Sequence, residues 1–183
     1  RVEWFRDTHP DLLDQVLTSH AGSPQCHMLS FVKPDRLKSI LKRVFDENEF
    51  LSPHGIRGMS QLYRDTPASL TIEGATVTAR YEPAESSVGL FGGNSNWRGP
   101  VWFPINFLLI HPRRRYHDFL GDDFTVEYPT HSRQSLNLRD IADDLSRRLI
   151  GIFERGADGN RPVYGGNTTF QKNPYWRDAI LFY

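Results

Sequence analysis

Three polar stretches carry the residue types that chemistry needs: "SPHGIRG" at 52–58, "YEPAES" at 81–86 and "NSNWRGPVW" at 94–102. The third is the densest. Trp97 and Trp102 bring flat apolar faces with one N–H each, which suits the CH-rich face and hydroxyl rim of a sugar ring. Arg98, like Arg57 in the first stretch, offers five rigidly spaced donors that chelate hydroxyl or carboxylate oxygens. Asn94 and Asn96 each add a donor and an acceptor, and the adjoining glycines let backbone approach a ligand closely. Together these are the groups of a carbohydrate site, and a carbohydrate is the expected partner.

Each residue also has a plainer role. Trp97 and Trp102 can seal the start of a helix, Arg98 can bind loop carbonyls, and Asn94 and Asn96 can simply form turns. Glu82 and Glu85 look like a carboxylate pair, but a loop salt bridge or a cap accounts for them better. The seven histidines show neither HxxxH nor HExxH spacing, so no metal site is expected. "GLFGG" lacks the Lys-Ser/Thr of a phosphate loop and the strand-to-helix setting of a dinucleotide site, so no cofactor is expected.

Composition narrows the class. Lys plus Arg equals Asp plus Glu at 22 each, so no overall field draws nucleic acid or anionic membrane. The longest apolar runs, "FLLI" and "AILFY", are too short to span a bilayer. The lone Cys26 excludes an internal disulfide and favours a reducing compartment, so a cytoplasmic location is the expectation. Oligomeric state leaves no mark in the sequence. With 183 residues and no linker or repeat, the chain reads as one unit.

The elements that must position the polar stretches are mostly helical. "HPDLLDQVLTSH" suggests a short helix with Pro10 in its first turn. "KPDRLKSILKRVFDENEF" is a stronger one, with Leu37, Ile40, Leu41, Val44 and Phe45 at helical spacing after the Pro34-Asp35 start. "LSPHGIRGMS" reads as a loop, and "SLTIEGATVTARY" as a β-hairpin turning at Glu73-Gly74. A helix is expected from Val101 towards Phe119, kinked or ended early at Pro112, which costs about 3 kcal/mol inside a helix. "NLRDIADDLSRRLIGIFE" is the clearest helix, capped by Asn137 and striped by Leu138, Ile141, Ala142, Leu145, Leu149, Ile152 and Phe153. "DGNRPVYGGN" reads as a turn-rich connector, and "NPYWRDAILFY" as a last helix capped by Asn173. The balance is mainly α.

"FDENEFLSPHGIRGMS", "YEPAESSVGLFGGNSNWRGPVWFPINFLLI", "GDDFTVEYPT" and "DDLSRRLIGIFE" followed by "NPYWRDAILFY" resemble the C-terminal part of glycoside hydrolase family 63 proteins. The likeness runs from about Pro34 to Tyr183 and is nearest to bacterial-type glucosidase and mannosylglycerate-hydrolase-like members. "HPRRRYHDF" departs from it, because His111-Pro112-Arg113 stands where relatives carry helix-forming residues. The resemblance implies that residues 1–183 are the C-terminal part of one (α/α)6 toroid, a six-hairpin glycosidase domain carrying a small β-hairpin. It also implies hydrolysis of α-linked glucosyl or mannosyl groups with inversion. Trp97, Arg98, Trp102, Asn94 and Asn96 would line the sugar funnel, with Arg57 and Glu82 supporting them.

Neither catalytic carboxyl is implied within the chain. The acid would precede Arg1 and the base would follow Tyr183 directly; the chain starts without methionine and stops inside a helix-like stretch, so both ends read as cut. A piece of a toroid leaves apolar stripes uncovered, at about 25 cal/mol per Å². Isolated, the chain is therefore expected to be unstable and inactive. The alternatives are a helical domain that binds sugars without cleaving them, and a protein-interaction domain anchored by Trp and Arg.

Overall fold

The computed structural model describes residues 1–10, 12, 16–19, 26–30, 32–83, 86–89 and 100–179. In chain order these form α1 (Val2–Thr8), β1 (Val16–Ser19), β2 (Cys26–Leu29), α2 (Pro34–Val44), β3 (Leu51–Ser52) and β4 (Gly55–Ile56). Next come β5 (Ala68–Ile72), β6 (Ala75–Ala79), α3 (Phe103–Leu120), β7 (Thr125–Glu127), β8 (Ser135–Asn137), α4 (Leu138–Gly151) and α5 (Thr168–Lys172). The strands pair into four separate two-stranded antiparallel ladders, so the fold is mixed rather than mainly α with one hairpin. No helical toroid is formed by the described residues.

Helix α4 follows its pattern closely. The Asn137 side chain accepts from the Asp140 N–H at 2.9 Å, satisfying one of the donors that a helix start leaves open. Leu138, Ile141, Ala142, Leu145 and Leu149 are buried along one face. They meet Leu41 and Phe45 at the end of α2, Leu51, Ile56, Ile110 of α3, and Phe124, Val126 and Tyr128 around β7. Phe45 and Tyr128 meet edge to face, 5.0 Å between ring centres. The loop after β7 also caps α2, because the Thr130 hydroxyl donates to the Lys42 carbonyl at 2.7 Å and its N–H to that of Phe45 at 3.0 Å.

One polar cluster stiffens this core's edge. The Tyr128 hydroxyl and Arg148 Nε both donate to Asp144 Oδ2, at 2.5 and 2.7 Å, and Arg148 reaches across to the Ser52 carbonyl at 2.9 Å. Partial burial alone would raise the Asp144 pKa, but these two donors outweigh it and hold the carboxyl below its ordinary 3.8. Burial, then the Asp144 bond, push the Tyr128 hydroxyl up.

Several elements depart from the sequence pattern. Val16–Ser19 is a strand paired with Cys26–Leu29, not the end of a helix, because a β-branched segment has an antiparallel partner available. The 51–58 loop contains the miniature β3–β4 ladder. Residues 174–178 are consecutive turns, where a capped helix was expected; the Asn173 side chain accepts from Tyr175 N–H at 2.9 Å and its carbonyl from Trp176 and Arg177. Tyr175 is 72% exposed there, so no buried face rewards continuous helix. Residues 180–183 lie outside the described residues. The β5–β6 hairpin, by contrast, turns at Glu73 (φ 50°) and Gly74 (φ 82°) as expected.

Helix α3 does not end at Pro112; it continues to Leu120. Proline withdraws the N–H that would meet the Leu108 carbonyl, and the Arg113 guanidinium, folded back along the helix, donates to the neighbouring Leu109 carbonyl. Arg113 is 4% exposed, lies 5.0 Å over the Phe45 ring, and leaves Nε and Nη2 without partners among the described residues. Burial lowers its pKa to about 10. A guanidinium held from 12.5 down to about 10 carries a penalty on the order of 3 kcal/mol in its charged form, present at every pH below that value. Arg113→Met, which keeps the apolar stem and removes the charge, should raise stability by about 1–3 kcal/mol in urea unfolding. A loss of stability would show instead that Arg113 has a counter-charge.

Candidate functional site

Among the described residues, parts of the three polar stretches meet, namely 52–58, Tyr81 and 100–102. The joint is Asn106, one turn into α3 and 0% exposed. Its Oδ1 accepts from the Ile56 N–H at 2.7 Å, and its Nδ2 donates to the Ile56 carbonyl at 2.9 Å and to the Trp102 carbonyl at 3.0 Å. A side-chain amide thereby acts as the missing neighbour strand of β4. Such close approach demands glycine next door: Gly55 has φ 116°, and a Cβ there would sit 2.9 Å from both Asn106 Oδ1 and Leu149 Cδ2. The two loops then align, with Arg57 bridged to Val101 and the Gly58 N–H donating to the Pro100 carbonyl at 3.1 Å.

Arg57 is the centre of this assembly. Its Nη1 donates to the carbonyls of Glu47, Glu49 and Leu51, the first two at 3.1 and 3.3 Å. Its Nε donates to the Tyr81 hydroxyl at 3.2 Å. Tyr81 is buried, with the guanidinium groups of Arg57 and Arg64 over its ring at 5.9 and 5.4 Å. Glu82, the next residue, is half-buried and accepts from the Ser87 N–H and hydroxyl, both at 2.7 Å. The Ser87 hydroxyl and then its N–H hold the Glu82 carboxyl below its ordinary 4.5.

Of the residues the sequence points to, Arg57, Glu82 and Trp102 are therefore gathered around one set of loops. Arg57 and Glu82 shape that wall, while the half-buried Trp102 sits at the start of α3 with its carbonyl held by Asn106. Asn94, Asn96, Trp97 and Arg98 lie outside the described residues, as does Glu85. Asn106 and Tyr81 escaped the sequence reading. A lone asparagine four residues after Trp102 in the apolar run "FPINFLLI" was the available signal. No helix among the described residues is long and apolar enough to cross a membrane.

Over its full length the chain is 40% identical to an uncharacterized protein of Saccharomyces cerevisiae, in an alignment of 187 residues covering 17% of that protein. A stretch of 85 residues, 45% of the chain, is 32% identical to a protein of Schizosaccharomyces pombe described as a probable mannosyl-oligosaccharide glucosidase, covering 8% of it. The chain thus spans less than a fifth of the length of the relatives it matches. No family model matches the chain, and no solved structure matches it.

Two outcomes follow from the geometry. Asn106→Leu keeps the branching but adds bulk and strands the buried Ile56 N–H and carbonyl, and should cost about 3 kcal/mol or more in urea unfolding. A change below about 0.5 kcal/mol would remove Asn106 from the joint. In an NMR titration the Ser87 amide should shift with a midpoint below 4.5, because Glu82 holds this loop as the anion and releases it only as pH falls through its lowered pKa. A midpoint at or above 4.5 would break that link.

Proposed function

We propose that the chain forms part of an inverting glycoside hydrolase of family 63 that cleaves α-linked glucosyl or mannosyl groups from small glycosides or oligosaccharides. The observation that carries the proposal is the 85-residue likeness to a protein described as a mannosyl-oligosaccharide glucosidase. The convergence of Arg57, Tyr81, Glu82 and the start of α3 on one set of loops supports it. Helix α3 adds a second support. Its outward residues Phe103, Phe107 and Leu108 are 43, 64 and 60% exposed, while its other face enters the core. A helix apolar on both sides suits cover from both sides, as an inner helix of an (α/α)6 toroid receives.

In this reading the 183 residues belong to one catalytic toroid and supply its sugar-binding wall. Trp97 and Trp102 stack on pyranose faces, and Arg98, Asn94 and Asn96 bind hydroxyls. Arg57 and Glu82 keep the wall in shape. Inversion requires an acid on the leaving oxygen and a base on the attacking water, about 6.5–9.5 Å apart. Both carboxyls are assigned outside residues 1–183, the acid upstream and the base directly after Tyr183.

Reading the coding DNA on both sides tests this at once. A glutamate directly after Tyr183 and an aspartate in an upstream helical segment are expected. The product of that whole reading frame should hydrolyse α-glucosides or α-mannosides to inverted sugars, with KM raised about tenfold by Trp97→Ala. A stop codon after Tyr183, or neutral residues at the two positions, would overturn the hydrolase and leave a sugar-binding domain.

A further inference from the structure

Beside the loops around Arg57 lies a separate cleft of about 310 Å³, lined by Arg43, Glu49, Phe50, Ser60, Leu62 and Tyr63. Its size is at the lower end of ligand pockets, which run from about 300 to 1,000 Å³. The two walls differ in chemistry. Tyr63 and Leu62 are 39 and 53% exposed, so an aromatic and an aliphatic face stand open. Against them stands an ion pair, in which Arg43 Nε and Nη2 donate to Glu49 at 3.0–3.2 Å and the Ser60 hydroxyl leans on the same carboxylate at 3.4 Å.

That pair is oriented but not exhausted. The Glu49 side chain is 13% exposed and that of Arg43 is 72% exposed. Arg43 Nη1, with two N–H groups, donates to nothing among the described residues. Both Glu49 oxygens already accept from Arg43 and Ser60, so the open groups are the two Arg43 Nη1 N–H, which can donate to the oxygens of two neighbouring sugar hydroxyls. The part-exposed Tyr63 ring in the same cleft offers a stacking face for that sugar's CH groups. An ion pair formed beforehand also spares the ligand part of the cost of ordering a long arginine side chain.

The cleft is joined to the wall described above. The Glu49 carbonyl accepts from both Arg57 Nη1 and the Gln61 N–H, and the Tyr63 carbonyl accepts from the Tyr81 N–H. We infer that this cleft is an accessory subsite for a neutral pyranose unit of an oligosaccharide, held by Tyr63 on one face and at its hydroxyls by Arg43, which Glu49 orients. The inference rests on the carbohydrate function proposed above and adds a requirement to it: the protein should favour longer saccharides.

The test uses the product of the whole reading frame, with an α-linked glucose disaccharide and the matching tetrasaccharide as probes. The tetrasaccharide should show a KM about tenfold lower. Tyr63→Ala and the surface variant Arg43→Gln should each erase that advantage, raising the tetrasaccharide KM far more than the disaccharide KM, whereas Tyr63→Phe should keep it. Equal KM values for both probes in the unmodified protein, or an advantage that survives both variants, would overturn the subsite and leave the hydrolase standing. Hydrolysis and binding of neither probe would overturn both.

Discussion

Everything around the candidate site depends on one side-chain amide pairing with one residue's backbone. Asn106 fills both hydrogen-bonding positions of Ile56 from within a helix, at 2.7 and 2.9 Å. An amide is the one kind of side chain that can do this, since it carries a donor and an acceptor in the same spacing as a peptide group. The pairing fixes α3 in rotation as well as in position, because a shift of one residue would bring Ile105 or Phe107 to Ile56 and strand its polar groups. It also explains why a glycine with positive φ precedes Ile56, with α4's Leu149 on its other side. Three elements thus meet at Gly55 with no room for a methyl group.

From that joint the order spreads by backbone bonds rather than by side-chain packing. Arg57, held beside Val101, ties carbonyls at 47, 49 and 51 to one guanidinium, a task that usually falls to several N–H groups. A charged donor shared among carbonyls keeps its positive charge, and Tyr81 receives that charge and Arg64's on its ring. The wall is therefore cationic and aromatic within, with the Glu82 carboxylate committed to its own loop.

How far the sequence revealed this differs by element. Helix α4 was legible because burial and helical period coincide, α2 because of its Pro34-Asp35 start and helical spacing although Ile40 stands exposed, and the β5–β6 turn because Glu73-Gly74 has few other uses. That Arg57, Glu82 and Trp102 stand out was legible, since polar and aromatic residues in long loops ask for a purpose. Their scaffolding was not. Asn106 reads as an interruption in an apolar run, and its partner Ile56 lies 50 residues away. Val16–Ser19 and the turns after Asn173 were misread for a related reason: short segments take the conformation of whatever is beside them, which no local pattern encodes.

Helix α3 concentrates that conflict. Its buried residues include Asn106, Arg113 and His117, spaced so that three polar groups share the inward stripe with Ile110. Phe103, Phe107 and Leu108 point the other way, into solvent. A helix stabilised only by its inward face would not keep this arrangement, because the inward stripe carries atoms of Arg113 and His117 without partners among the described residues while the outward one gives up apolar burial. The arrangement is economical if the outward face is also covered, since two apolar contacts then offset one polar stripe. Of the polar residues on that stripe, Asn106 is the one that sets the register of α3 against the loops, through both polar groups of Ile56.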